Sequence, residues 1–281
     1  MMSHLANSKV VVASIASTLE FYKDILHFHV LFFDERQKAA MVEFDSGQTL
    51  LLVEDSNHDV TRWLAPSYHL AEPGERLYFR GNSSHIDTAK LNQGKVTRIE
   101  KEWGDTILEV IDPNGYILSF WEGKELSSLE LLELYELAPM RLKKALEGLT
   151  EKDLDLVRAP GKWSIRQTVL HMVDSDATSL AMVKFALAEP GRIFHANGYN
   201  PDTWVDGLDY QHRSIEGEVA LFVAIRKHIS GLLYHLPNAM DRTIQISNGP
   251  VVTVRERIRL LMSHALGHIE QILETRRVHG K

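Results

Sequence analysis

The sequence predicts two regions of different class. Residues 1–123 read as an α+β domain built from paired βαβββ modules, and residues 124–281 as an all-α domain, a four-helix bundle. Three observations predict this. The hydrophobic period changes from about 2 to about 3.6 near residue 124. The order of elements in the first half occurs twice. The second half holds four long windows of helical spacing.

In the first half, short alternating runs rich in β-branched and aromatic residues read as strands at 10–12, 29–33, 40–44, 49–53, 77–79, 106–111 and 116–121. Asp45-Ser46-Gly47 and Asp112-Pro113-Asn114-Gly115 supply turns. Helical spacing interrupts at 18–26 and 86–91. Strand–helix–strand–strand–strand is thus read over 9–54 and again over 76–122, with 55–75 connecting the copies. The repeat lies in order and period, since residue identity between copies is poor. Two such modules give two curved sheets enclosing a cleft.

The polar segment 123–130 is short and reads as a tight linker. After it, helices are expected over 126–149, 164–188, 215–236 and 253–278, and strands all but vanish. Ser164 with Gln167, and Thr253 with Glu256, form capping boxes in which a hydroxyl and a side-chain carbonyl satisfy orphan amides reciprocally. Pro139 is expected to kink or restart the first helix, because proline removes a helical hydrogen bond. The connection 189–214, full of Gly, Asn, Pro, Asp and aromatics, is long for a bundle, and loops of that length are often functional.

Composition narrows the chemistry. The chain of 281 residues has no cysteine, so thiolate nucleophiles, zinc-thiolate sites and redox pairs are excluded. A cysteine-free chain suits a cytoplasmic location. No signal peptide and no apolar run of membrane-spanning length is read. Twelve of 31 basic and 18 of 38 acidic residues lie in 1–124, placing nearly all of the net charge of −7 there. That balance argues against a nucleic-acid partner. Gly-rich phosphate loops and serine-hydrolase elbows are also lacking.

The sharpest local signal is His264-Ala-Leu-Gly-His268. Residues four apart share a helix face, about 5–6 Å apart at Cβ, so two imidazoles there can reach one ion. His171, in the second helical window, could add a third ligand from a facing helix. Three histidines and an open position are what catalytic zinc uses. Against this, 14 histidines produce such pairs by chance, and Gly267 costs a helix something. His27, His29, His58, His69 and His85 form no comparable helical pair. His228 and His235 read as surface or interface residues.

The run from Pro160-Gly161-Lys162-Trp163-Ser164 to His171, with Ser263-His264-Ala-Leu-Gly-His268-Ile-Glu-Gln271 far downstream, resembles the DinB-like four-helix bundles over roughly 126–276. The closest branch includes bacillithiol S-transferases and metal-dependent-hydrolase relatives. The resemblance implies that His171, His264 and His268 bind a divalent metal ion (Zn, Ni or similar). It also implies that the loop Asn197–Trp204 borders the site, with a low-molecular-weight thiol as cosubstrate in the transferase branch. Asp174 or Asp176 is expected to orient a ligand imidazole.

The first half resembles the vicinal-oxygen-chelate superfamily, the glyoxalase and bleomycin-resistance group. The carrying residues are Thr18-Leu-Glu-Phe-Tyr22-Lys-Asp-Ile-Leu26 and Asp112-Pro-Asn-Gly115-Tyr-Ile-Leu-Ser119-Phe-Trp-Glu122. Positions where its metal-binding members place ligands fall near Asn7, Arg76 and Ser119, so a metal-free domain is expected. Trp63, Trp103, Trp121, Tyr78 and Phe79 read as core and hairpin aromatics, or alternatively as a ligand-stacking cleft. Trp163 reads as a packing anchor, Arg166 as a surface or interface residue or an anion contact, and 129–136 as a solvated acidic face.

These readings converge on a metal-dependent thiol S-transferase or hydrolase acting on a small electrophilic compound in detoxification. The glyoxalase-like domain would assist ligand binding, and a homodimer is expected by analogy. The alternative is a non-catalytic protein that sequesters a small molecule in the N-terminal cleft, with the bundle as dimerisation platform.

Overall fold

Alternation of apolar and polar residues builds β1 (Ala6–Val11), β2 (His29–Asp34), β3 (Ala39–Glu43) and β4 (Thr49–Val53), with α1 (Ile15–Glu20) and a π-type turn, Phe21–Ile25, between the first two. The second copy contains β6 (Arg76–Arg80), β7 (Val96–Glu100), β8 (Thr106–Ile111) and β9 (Ile117–Glu122). In the first sheet β1 runs parallel to β4, which continues antiparallel through β3 to β2. In the second, β6 runs parallel to β9, which continues antiparallel through β8 to β7. The strand orders are equivalent, so the duplication read from the sequence is present in the topology. The computed structural model describes residues 6–45, 47–54, 60–81, 83–91, 93–196, 198–247 and 249–281. Ser46 of the expected turn, and also His58 and Asn197, lie outside the described residues. The chain divides into two units, Met1–Glu125 and Leu126–Lys281.

The copies differ in their helices. Ile15, Thr18, Tyr22 and Leu26 recur at helical spacing and are all buried, which holds α1 and its continuation to the sheet. The helix expected at 86–91 is only a 3₁₀ turn, Thr88–Lys90. Among 86–91 only Ile86 is fully buried, too little tertiary packing to support a helix. Two described strands of the first unit escaped the sequence reading. β5 (Leu64–Leu70) lies within the expected connector and pairs with β1 across a register shift. Pro66 breaks its pattern, which an edge strand tolerates. β7 is an edge strand with a mostly exposed, polar sequence.

One core cluster joins Val10, Val42, Leu50 and Leu52 of the first sheet to Ile15, Tyr22 and Leu26, and to Leu77, Phe79, Leu118 and Phe120 of the second. The aromatics considered for a cleft are dispersed. Phe79 stacks on Phe120 at 5.3 Å within this core. Trp103 is buried, and both its indole and that of Trp121 donate to Asp105. Trp63 packs on Phe32 at 4.7 Å, and Tyr78 is exposed. Arg76 and Ser119 both donate to Glu109, while Asn7 is exposed.

The second unit places α2 (Ser128–Leu146), α3 (Ile165–Ala188), α5 (Glu216–His235) and α6 (Val254–Val278) as a bundle, with α4 (Pro201–Gly207) in the long connection. Capping boxes start α3 and α6 as expected, and Ser127 with Glu130 starts α2 in the same way. Each such cap is worth about 1 kcal/mol. Both α2 and α3 pack against α5 and α6, so α2 and α3 occupy a diagonal of the bundle. A small sheet of β10 (Ile193–Phe194), β11 (Thr243–Ile246) and β12 (Val251–Thr253) abuts it. No described helix is long and apolar enough to cross a membrane.

Pro139 does not restart α2, which runs through it as one helix. The amide that proline lacks would have served the Tyr135 carbonyl. Arg226 Nη1 donates to that carbonyl instead, at 2.8 Å. The same guanidinium, almost wholly buried, donates to both oxygens of Asp176 at 2.8 and 3.2 Å and to the Leu261 carbonyl at 2.8 Å. The rings of Tyr135 and Phe222 face its charge at 4.2 and 4.5 Å. One side chain therefore ties α2, α3 and α6 to its own helix, α5.

Candidate metal centre

His171 lies two turns into α3, a position that its capping box and the apolar stripe of Val169, Leu170 and Val173 fix against the core. On α6, Leu261, Ala265 and Ile269 face inward, and that rotation carries His264 and His268 to the α3 side. The three imidazoles meet. Nε2 of His171 is 3.0 Å from Nε2 of His264, which is 3.2 Å from Nε2 of His268. They are the group of potential metal-binding side chains found among the described residues.

Protonation and tautomer suit a cation. Burial pushes His171 down to about 4, His264 to about 2 and His268 to about 4, so all three rings are neutral near pH 7. His268 Nδ1 is 3.0 Å from the Gln271 side-chain oxygen. Arg158 Nη1, at 3.4 Å, donates to that same oxygen and so fixes the amide's orientation. Nδ1 of His268 must then carry the proton, leaving its Nε2 lone pair bare. Nδ1 of His171 and of His264 are buried without a hydrogen-bond partner. Bonds of about 2.0–2.1 Å from zinc to nitrogen set neighbouring ligand atoms about 3.3 Å apart in a tetrahedral shell. The Nε2 spacings fit that requirement.

Neither aspartate takes the role expected of it. Asp176 gives both oxygens to Arg226, and Asp174, one turn after His171, accepts the Tyr210 hydroxyl. Both unpartnered Nδ1 atoms confirm that no carboxylate among the described residues orients those rings. Gln271 holds the one imidazole that is oriented. Arg166 is not an anion contact either: buried, it donates to Asp155, to Glu151 and to the Arg213 carbonyl. His228 and His235 are exposed on α5.

Aromatic groups wall the triad. Trp163 lies edge-on to His171 at 4.8 Å and parallel to His268 at 6.4 Å, so the residue read as a packing anchor packs on the histidines themselves. Its indole donates to Asp202 of α4 at 3.1 Å. Asn200 caps α4 by accepting from the amides of Asp202 and Thr203. Tyr199 stacks on Trp204 at 4.0 Å and stands 6.4 Å from His171. Burial pushes the Tyr199 hydroxyl up to about 12, and burial together with the bond to Asp174 raises Tyr210, so both stay protonated. The long connection had signalled a functional loop, but no spacing singled out Tyr199 or Tyr210. The position of Trp163, one residue before the α3 cap and two turns from His171, was the available clue.

Residues 134–272 match the DinB superfamily. YfiT of Bacillus subtilis, named for an inferred metal-dependent hydrolase activity, is 26% identical over 151 residues, covering 53% of this chain and 84% of its own. A similarly named protein of Oceanobacillus iheyensis is 27% identical over 135 residues, covering 48% of this chain and 77% of its own. The solved structure of B. subtilis YfiT, described as a four-helix bundle of unusual topology, has a TM-score of 0.50 at 25% identity and covers 56% of this chain and 91% of its own. Among structures of glyoxalase type, a lactoylglutathione lyase from Agrobacterium tumefaciens covers 44% of this chain and 95% of its own, at 17% identity and a TM-score of 0.33. The C-terminal half, whose residues 134–272 carry the family match and whose helices assemble the three histidines, belongs to the DinB superfamily.

Proposed function

We propose that the C-terminal unit is a metal-dependent enzyme acting on a small electrophilic molecule, with His171, His264 and His268 holding one divalent transition-metal ion. The observation that carries this reading is the convergence of three neutral imidazoles through Nε2, at 3.0 and 3.2 Å. When bound, such an ion supplies Lewis acidity that activates water for hydrolysis, or a small thiol for transfer. Hydrolysis is the reading that the relatives' names support, and thiol transfer to the same class of electrophile is its near neighbour.

The chain's own groups do the rest. Gln271 keeps the proton of His268 on Nδ1, so Nε2 remains a donor to the ion. Trp163, Tyr199 and Trp204 present flat apolar surface to a substrate and exclude water from the side where Trp163 is tied to Asp202. Tyr210 holds its proton toward Asp174, which fixes that carboxylate beside α3. The N-terminal unit assists by binding or presenting the electrophile, and the whole acts as a homodimer.

The test is metal analysis of untagged protein beside His264→Ala/His268→Ala, followed by hydrolysis and thiol-transfer assays on electrophilic ester, amide and epoxide substrates. One equivalent of zinc, nickel or manganese lost in the variant, together with the activity, supports the reading. Equal metal content and equal activity in the two proteins sink it.

A further inference from the structure

Arg257 lies on α6 seven residues before His264 and eleven before His268. Those separations are close to two and three whole helical turns, so the three side chains stand on one face of the helix. On α3, Ser175, Thr178 and Met182 follow His171 at four, seven and eleven residues and continue its face in the same way. The two faces meet twice. Nε2 of His171 is 3.0 Å from Nε2 of His264, and Nε of Arg257 is 3.2 Å from Sδ of Met182. They therefore border one seam between antiparallel helices, with the triad at one end and Arg257 about 10 Å along it. Ser175 and Leu260 on this seam are half-buried and Thr178 is exposed, so solvent reaches it.

Arg257 is itself half-buried, yet its only hydrogen-bond partner among the described residues is that thioether, a weak acceptor. Burial pulls its pKa below the ordinary arginine value, and no neighbouring carboxylate acts the other way. The two fully buried guanidinium groups of the same unit are paired: Arg226 with Asp176, and Arg166 with Asp155 and Glu151. A guanidinium keeps its charge even when partly desolvated, so Arg257 presents an uncompensated cation in the seam that leads to the triad.

We propose that Arg257 binds an anionic end of the substrate, a carboxylate or phosphate group, while the reacting end lies at the triad. The substrate class is then an elongated electrophile whose oxyanion sits about 10 Å from its reactive atom. This inference rests on the reading of the triad as the reacting centre. Met182 engages Nε, which leaves the fork of the two terminal nitrogens to take two oxygens of a planar anion. Leu260, one turn from both Arg257 and His264, and Met182 offer apolar contact to a methylene chain between the two ends.

Two measurements on the full chain test this. In metal-free protein, inorganic phosphate is expected to shift the side-chain Nε–H resonance of Arg257, which Arg257→Lys identifies by its loss. In zinc-loaded protein, calorimetry compares suberic monohydroxamate with octanohydroxamate, two chelators of equal chain length ending in a carboxylate and a methyl group. The carboxylate is expected to raise affinity about 10–100-fold, as hydrogen bonds to a charged group do. Arg257→Met abolishes that preference and Arg257→Lys retains part of it, octanohydroxamate serving as the reference within each protein. Succinic monohydroxamate and butanohydroxamate, too short to span the seam, bind alike. Circular dichroism confirms that each variant is folded. Equal affinity of the long pair in the wild type overturns the proposal, as does a preference that survives Arg257→Met or an Arg257 resonance that phosphate leaves in place. A triad that loads no zinc overturns the reading of the metal centre instead, and the phosphate titration still decides whether Arg257 takes an anion.

Discussion

Two polar clusters are buried in the same bundle, and they are opposites. At Arg226 four guanidinium N–H groups find acceptors, and both oxygens of Asp176 are used. At the histidine triad, two Nδ1 atoms find nothing and three Nε2 atoms face one another. A polar cluster that satisfies itself holds helices together. One that leaves its Nε2 atoms facing a common centre is arranged as a set of ligands. The contrast assigns architecture to the first and chemistry to the second.

Substitutions break or sharpen this contrast. Asp176→Ala strands a buried guanidinium charge and is expected to cost about 3–5 kcal/mol in urea unfolding of the metal-free protein. His264→Ala, which removes a ring with no hydrogen bond at Nδ1, costs the metal-free bundle less than that while abolishing the triad's metal. If the two variants unfold alike and bind metal alike, the distinction fails. Gln271→Ala is expected to weaken metal affinity about 10–100-fold, by freeing the His268 tautomer, with little change in metal-free stability. Competition with a chelator of known affinity measures it.

Acid sharpens the comparison further. The folded triad titrates well below the value of about 6.5 that histidine has in an unfolded chain. Between about pH 6.5 and 4 the unfolded state therefore binds more protons, so stability falls as pH falls, by at most about 1.4 kcal/mol per pH unit for each histidine. Above pH 6.5 these residues contribute no slope. Triple replacement of the histidines is expected to flatten this limb, as read from urea midpoints across the range. The smallest effect belongs to Trp163→Phe, which loses the bond to Asp202. It costs about 0.5–1.5 kcal/mol, and hydrogen exchange quickens in α4 before it does in α3.

Legibility followed the range of the interactions. His264 and His268 were readable because four residues span one helical turn, a local relation. His171 was only one candidate for a third ligand until the family resemblance singled it out, since no spacing links it to α6. The repeated module was legible from period and order, whereas β5 was hidden by Pro66 and β7 by its exposed, polar sequence. Asp176 was misread because its partner, Arg226, stands 50 residues away inside an apolar window. The restart weighed at Pro139 did not occur for the same reason: the group that compensates for its missing amide lies on another helix. A charged residue within the apolar stripe of α5 was the signal, and it becomes decisive only when paired with the proline. Trp163 carried the right local role, packing, while the identity of what it packs on was a property of the fold.

The proposed ligands from α3 and α6 are 93 residues apart, and the chain between them includes the long connection, α5 and the small sheet. A centre built across such a span exists only after the final helix has docked, so it is absent while the chain is still finding its shape. Added metal will accordingly slow unfolding and leave the refolding rate unchanged, making ion release a clock for the loss of native structure.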